Sequence, residues 1–299
     1  MDPYRRIKSL SLFVFFAWTS IILTSCATLS GCASCNLSYT QPYKPPSFAL
    51  IQVSLKLEPS KCVVAGTGED CAGLLTMLPP KTIDTRGSGT VVKVVNDKTY
   101  VLTADHVCNH PSESSFNIPM NSRDGGPPIV AHITVKQTST ITAVDGEGIS
   151  HVSTVHATDN LNDVCLIKSD GAWGSDRVVP VAEDMPKVGS RVYNIAAPFG
   201  IFSPGDPGVK LHFEGRYSGS DARGNYFYTL PARPGSSGSS VLNEDGEIIG
   251  IVHSAMINFE HVALASSLTS IQSLMATIPK PEEKVDAHKK AMHHLVFGF

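Results

Sequence analysis

Short runs of Val, Ile, Leu and Thr recur from residue 49 onward, each bounded by Gly, Pro, Asn or Asp. Sustained helical periodicity is scarce, and alternation at period two between turn residues marks half-buried antiparallel strands, so the chain reads as all-β. Residues 49–55 form one isolated strand candidate. Residues 87–95, the turn Asn96-Asp97-Lys98 and residues 100–103 then read as a hairpin, followed by strands over 129–136, 138–144, 150–157 and 164–168. A second set is expected over 188–195, 208–217, 226–230 and 248–256, with a closing strand and short helix over 264–277. Asp245-Gly246 is a hairpin-turn signal before the apolar run at 248–252.

Both ends break this texture. Arg5, Arg6 and Lys8 precede an uncharged apolar run over residues 10–23, shorter than the roughly 20 residues of a spanning helix but matched to a signal-peptide core. Cys26 in Leu23-Thr24-Ser25-Cys26 and Cys32 in Leu29-Ser30-Gly31-Cys32 both resemble a bacterial lipobox, whose cysteine becomes a lipidated N-terminus. Cys32 is the closer match, while Cys26 lies nearer the apolar core. A lipidated, a cleaved and an uncleaved N-terminus all imply export or membrane attachment. Residues 36–47 are Pro-rich and polar, as a tether would be. The expected layout is a signal or anchor over 1–31, a tether and extension over 32–83, one folded domain over 84–278 and a tail over 279–299.

Charge narrows the partners. Lys and Arg total 24 against 27 Asp and Glu, a net charge of -3, so no basic excess points to nucleic acid. Export gives the seven cysteines meaning, because disulfides persist outside the cytosol. Cys62 and Cys71 flank a short Gly-containing segment and are expected to close a small loop. Cys108 and Cys165 lie in apolar runs and are expected as buried thiols, although each stands two residues from a candidate catalytic residue; Cys35 has no evident partner. His288, His293 and His294 lack metal-ligand spacing, so neither a metal nor a cofactor is expected.

The candidate chemistry centres on Pro234-Gly235-Ser236-Ser237-Gly238. Flanking glycines let the backbone approach a reacting atom and let successive N–H groups converge, while Ser237 supplies an exposed hydroxyl; acyl transfer needs both. Most Gly/Ser stretches are only surface turns, so a base and an orienting acid upstream must decide. His106 ends the first hairpin in Leu102-Thr103-Ala104-Asp105-His106-Val107, and Asp163 opens the run Val164-Cys165-Leu166-Ile167.

Jointly and in this order, these motifs resemble those of the trypsin-like (chymotrypsin-fold) serine proteases. Gly87-Ser88-Gly89-Thr90-Val91 resembles the family's first hairpin, and Val188 to Ala197 followed by Pro198-Phe199-Gly200 resembles the opening of the second barrel in its HtrA-type and glutamyl-endopeptidase branches. The resemblance covers residues 84–278. It implies two antiparallel six-stranded β-barrels, over about 84–180 and 181–278, with the site between them and a polypeptide as substrate. It further implies that Ser237 is the nucleophile, His106 the general base and then acid, and Asp163 the group that orients His106. The N–H groups of Gly235 and Ser237 would form the oxyanion hole. Asp159 and Asp170 compete for the acid's role, but only Asp163 directly opens a buried strand.

Departures from the family pattern refine the expectation. Ser236 stands where pancreatic-type enzymes carry an aspartate that captures a new N-terminus, which implies activity without zymogen cleavage. Pro231, Ala232 and Arg233 would line one wall of the specificity pocket, and no acid at its base favours Lys or Arg. His253 resembles the acid-selecting histidine of glutamyl endopeptidases but stands one position late, which flips it to the other strand face. It is expected instead near the triad or on the substrate-pairing strand. The alternative from another class is a catalytically inactive scaffold that binds a partner protein; such relatives usually lose a triad member, and here all are present.

Overall fold

The structure is a computed structural model that describes residues 47–120, 128–204 and 209–281. Cys26, Cys32, Cys35 and the three tail histidines lie outside the described residues, and so does the expected signal segment.

The first barrel is built from β1 (Phe48–Val64), β2 (Lys81–Val95), β3 (Lys98–Thr103), β5 (Ile129–Val144), β6 (Ser150–Asp159) and β7 (Val164–Asp170). Its hydrogen-bonded order is β1-β2-β3-β7-β6-β5, and β5 pairs back onto β1 to close the ring. An extra strand, β4 (Glu113–Met120), adds to β5. The second barrel closes in the order β10-β13-β12-β11-β8-β9, with β8 (Arg191–Ala196), β9 (Leu211–Ser220), β10 (Tyr226–Tyr228), β11 (Ser240–Leu242), β12 (Ile248–Met256) and β13 (Phe259–Ala265). Every pairing within the barrels is antiparallel. Three short α-helices, α1 (Ala72–Leu75), α2 (Asp105–Cys108) and α3 (Leu268–Met275), and two single-turn 3₁₀ segments over Ser175–Arg177 and Pro198–Gly200 complete the described chain.

Two expectations change here. The first barrel starts at Phe48, not near residue 84, because β1 pairs with β2 from Phe48↔Thr90 and with β5 from Leu50↔Val144. Only the first half of β1 alternates like a barrel strand. Beyond it, Lys56, Glu58 and Lys61 ride on a ribbon of β1 and β5, and Pro59 sits at a register shift where a ladder N–H is not required. That ribbon has its own small core of Cys62, Ala131, Ile133 and Val135 against Leu74, Leu75 and Ile118. The disulfide Cys62–Cys71 lies at its end. The second change is that residues 129–144 form one strand rather than two.

Ile51, Val53, Val91, Val101, Ile141 and Ile167 fill the first barrel; Val192, Tyr228, Leu230, Val241, Ile249 and Ala263 fill the second. A third cluster joins them. Leu102, Val164 and Leu166 of the first barrel meet Leu242, Ile248 and Ile251 of the second, sealed by Ile271 and Leu274 of α3. At roughly 1.5–3 kcal/mol for each large apolar side chain buried, this seam fixes the barrels against one another. Helix α3 is started by Ser267, whose Oγ accepts the Ser270 N–H at 3.2 Å.

Candidate active site

The register of β3 on β7 decides which residues meet. Thr103 pairs with Cys165, so the chain leaving β3 and the chain entering β7 run side by side at one barrel rim. Ala104 turns the first into α2, which carries His106. Asp163, immediately before β7, adopts a φ of +51°, a left-handed conformation that Asp tolerates better than most residues. The result is a two-point grip: Asp163 Oδ1 accepts the His106 backbone N–H at 2.9 Å, and Oδ2 lies 2.7 Å from His106 Nδ1. The ring hydrogen bond to Asp163, aided by the Asp163 charge and opposed by burial, raises the His106 pKa above its ordinary value. Burial pushes the Asp163 carboxyl up, but the ring and backbone hydrogen bonds from His106 outweigh it and hold the acid below its usual range.

Cys108 and Cys165 form a disulfide and are not the free thiols expected. Both sulfurs are buried in the first barrel's core, and the same Thr103↔Cys165 register brings them together. The bond staples α2 to β7, two residues beyond His106 and two beyond Asp163. The spacing was visible in the sequence, but the pairing depends on the register. The competing acids are engaged elsewhere: Asp159 accepts from the Asn162 N–H and side chain, and Asp170 pairs with Lys98.

The segment 233–239 is shaped by backbone bonds. The Pro234 carbonyl accepts the Phe199 N–H at 2.6 Å, and the Ser236 carbonyl accepts the Ser239 N–H at 3.1 Å. In a trans peptide, C=O and N–H point in opposite directions. The N–H groups of Gly235 and Ser237 are therefore turned away from those partners. Gly235 requires its freedom: its φ is +94°, and an added Cβ would lie 2.5 Å from the Ala197 carbonyl oxygen. Phe199, which holds the Pro234 carbonyl, itself has a φ of +55°, a strained setting for a bulky side chain.

Three polar residues overlooked in the sequence tie this loop to both barrels. Ser88, fully buried in β2, donates its N–H to the Ser237 carbonyl at 2.7 Å and its Oγ to the Gly235 carbonyl at 2.8 Å, while that Oγ accepts the Ala197 N–H at 3.0 Å. Asn194 donates to Ser239 Oγ and to the Ser240 carbonyl, both at 2.9 Å. Ser240 Oγ donates to Thr90 Oγ1 across the seam at 2.8 Å. A buried polar residue costs free energy unless it is hydrogen-bonded, so Asn194 in the apolar run Val192-Tyr193-Asn194-Ile195 was the available signal.

These bonds put the Ser237 backbone next to the His106 helix. A Cβ added to Gly87 would lie 2.7 Å from Val107 Cγ1 and 3.0 Å from the Ser237 carbonyl oxygen, so β2 passes between the two with no room for a side chain. Of the expected pocket residues, Ala232 is buried in the second barrel's core and Pro231 is half-buried. The Arg233 backbone closes the serine loop, its carbonyl accepting the Ser236 N–H at 2.8 Å. His253 lies at a register shift in the β12–β13 ladder, between Val252 and Ser254. Strict alternation therefore does not fix its direction. Burial lowers its pKa, against the pull of the Asp163 charge and with the push of His106, so its imidazole lies within electrostatic reach of that pair.

Residues 87–251 match the trypsin-like peptidase domain. No curated protein matches the chain. Among solved structures, the serine endoprotease from Yersinia pestis is similar at 18% identity and a TM-score of 0.47, over 75% of this chain and 61% of that one. The chain thus spans less than two thirds of the Yersinia protein's length. The active form of the Rv3671c protease from M. tuberculosis is similar at 15% identity and a TM-score of 0.46, over 78% of this chain and 82% of that one.

Proposed function

We propose that this chain, which belongs to the trypsin-like peptidase family, is a serine endopeptidase that cleaves polypeptides through Ser237, His106 and Asp163 by way of an acyl-enzyme. The observation that carries this is the grip of Asp163 on both the Nδ1 and the backbone N–H of His106. With the Nδ1 proton committed to Asp163, the free lone pair is on Nε2, where a general base needs it.

Ser237 Oγ attacks the scissile carbonyl carbon while its proton passes to His106 Nε2. The carbonyl π electrons move onto oxygen, and that oxyanion accepts the N–H groups of Gly235 and Ser237. Collapse of the tetrahedral adduct breaks the C–N bond, and His106 gives its proton to the departing amine. Water, deprotonated by His106, then cleaves the ester by the same path in reverse.

The reading includes activity without zymogen cleavage. Ser236 is buried and its Oγ accepts the Arg233 N–H at 3.3 Å within its own loop. The loop's carbonyls are held by Phe199, Ser88 and Ser239, so its N–H groups need no carboxylate bound to a new N-terminus. It also includes export, in one of the three forms residues 1–31 allow; two disulfides favour an oxidising compartment.

A fluorophosphonate probe should label Ser237 stoichiometrically, and Ser237→Ala should remove both labelling and about 10⁶ of kcat, on the scale of nucleophile loss in serine proteases. Near-wild-type turnover in Ser237→Ala, or no labelling of the wild type, would reject the assignment. The second part is checked by active-site titration of a chain that begins at Leu37 behind an N-terminal tag. Full titre is expected with the tag intact, and a titre that appears only after cleavage near Arg86 would show a zymogen.

A further inference from the structure

Arg86 is an exposed cation beside the serine loop that the mechanism does not use. It precedes Gly87, the residue packed between Val107 and the Ser237 carbonyl. Its side chain reaches from β2 across to the second barrel: a Cβ added to Gly200 would lie 2.9 Å from Arg86 Cδ and 3.0 Å from its Nη1. Gly200 in turn abuts the serine loop, since a Cβ on Gly235 would lie 3.1 Å from the Gly200 N. The Arg86 side chain is thus one backbone layer from Gly235. Among the described residues its guanidinium has no ion-pair partner.

Beyond Arg86 the surface is concave. A groove of about 230 Å³ runs over β1, β2 and β5, lined by Gln52, Ser54, Asp84, Arg86, Thr140 and Thr142. The strand registers place these in cross-strand rows, Arg86 beside Gln52 and Thr142, and Asp84 beside Ser54 and Thr140. The same face of β1 continues through Leu50, which packs on Ile195 and Ala197 of the second barrel. The groove therefore opens from the junction of the barrels, with its cation at the end near Ser237 and its one carboxylate farther out.

The side of the scissile bond follows from the chemistry. His106 must reach the departing amine, so the substrate residues after the scissile bond leave along the His106 flank of Ser237. Gly87 and Arg86 lie on that flank, because Gly87 touches Val107, the residue after His106. We propose that Arg86 and the groove beyond it form a subsite for the leaving-group side of the substrate, selecting a carboxylate side chain at one of the first two residues after the scissile bond. This rests on the protease reading above and adds the substrate's chemistry to it. Gln52, Thr140 and Thr142 supply uncharged polar partners for the following backbone, while Asp84 restricts an anion to the Arg86 end.

The test uses peptides identical up to the scissile bond, carrying Asp, Asn or Lys at the first or second position after it. The kcat/KM for Asp over Asn should be roughly two- to fivefold at one of these positions, the upper part of the range of a solvent-exposed charge pair, and should shrink as salt is raised. Arg86→Gln should bring the ratio to about one, and Arg86→Glu should favour Lys over Asp. Equal rates for Asp and Asn at both positions in the wild type, or an Asp preference that survives Arg86→Glu, overturn the subsite. Binding of the same peptides to Ser237→Ala, read by fluorescence anisotropy, decides the matter without turnover: equal affinities for Asp and Asn peptides reject the Arg86 assignment. A charge preference in binding with no cleavage by the wild type rejects the protease reading alone.

Discussion

The two halves of the site are held by different forces. On the first barrel, His106 and Asp163 are joined by side-chain hydrogen bonding and charge, with a disulfide stapling the segments that carry them. On the second, Ser237 is placed by backbone hydrogen bonds to Phe199, Ser88 and Val252 and by left-handed Gly235 and Gly238. The first half responds to pH. The second responds to volume, because a single methyl group meets backbone atoms at Gly235 and at Gly238, where an added Cβ would lie 2.1 Å from the Ser88 carbonyl oxygen. In the proposed mechanism the His106–Asp163 pair has to exchange protons and therefore needs titratable groups, whereas the serine loop has only to hold its dipoles still.

Substitutions can separate the two. Asp163→Asn should cost about 10⁴ in kcat by favouring the wrong imidazole tautomer. The Asp163 hydrogen bond raises the His106 pKa, and only neutral His106 accepts the serine proton. The wild-type rate should therefore rise with pH through a midpoint above the ordinary histidine value of about 6.5. Asp163→Asn removes the carboxylate that favours the protonated ring, so its midpoint should fall. A kcat/KM profile from acid to neutral pH checks both, and a midpoint unchanged in Asp163→Asn would contradict the coupling.

Gly235→Ala addresses the other half. Its Cβ would sit 2.5 Å from the Ala197 carbonyl oxygen, so the loop must move and carry the Gly235 N–H away from the oxyanion. A loss of about 10²–10³ in kcat is expected, with the pH midpoint unmoved. If the midpoint moves with the rate, the halves are not independently held.

The smallest effect on rate should come from the staple. Replacing Cys108 and Cys165 together by Ala should lower stability to denaturant by about 2–4 kcal/mol. Turnover should fall by only roughly tenfold, because the two Asp163 bonds still orient His106 and the error left in its position is small. Equilibrium unfolding and kcat measured on the same protein would show whether the disulfide supports the fold, the pair, or both.

Much of the candidate site was legible in the sequence because its segments are local. The Gly and Ser residues of 234–240, the histidine ending one hairpin and the acid opening a strand each need only a few neighbours in sequence, and the family match covers the same span. Residues 48–64 were harder to place. Half of β1 carries Lys, Glu and Pro, since it pairs with β5 as a ribbon outside the barrel, and period two alone does not say which strand closes a ring.

The alternation of apolar and polar residues, with glycine and proline between the runs, was enough to determine an all-β chain and to mark the segments that carry the candidate site residues. Those properties depend on neighbours a few positions away. Register belonged to the tertiary structure. The pairing of Thr103 with Cys165 joins two buried cysteines and sets His106 against Asp163. The shift at His253 removes the alternation from which its direction would be read. Reach across the seam was settled there too, with Ser88 meeting Gly235 and Arg86 meeting Gly200. A strand's pattern says which of its faces is apolar, but its offset against a partner follows from the summed packing of residues far apart in the chain.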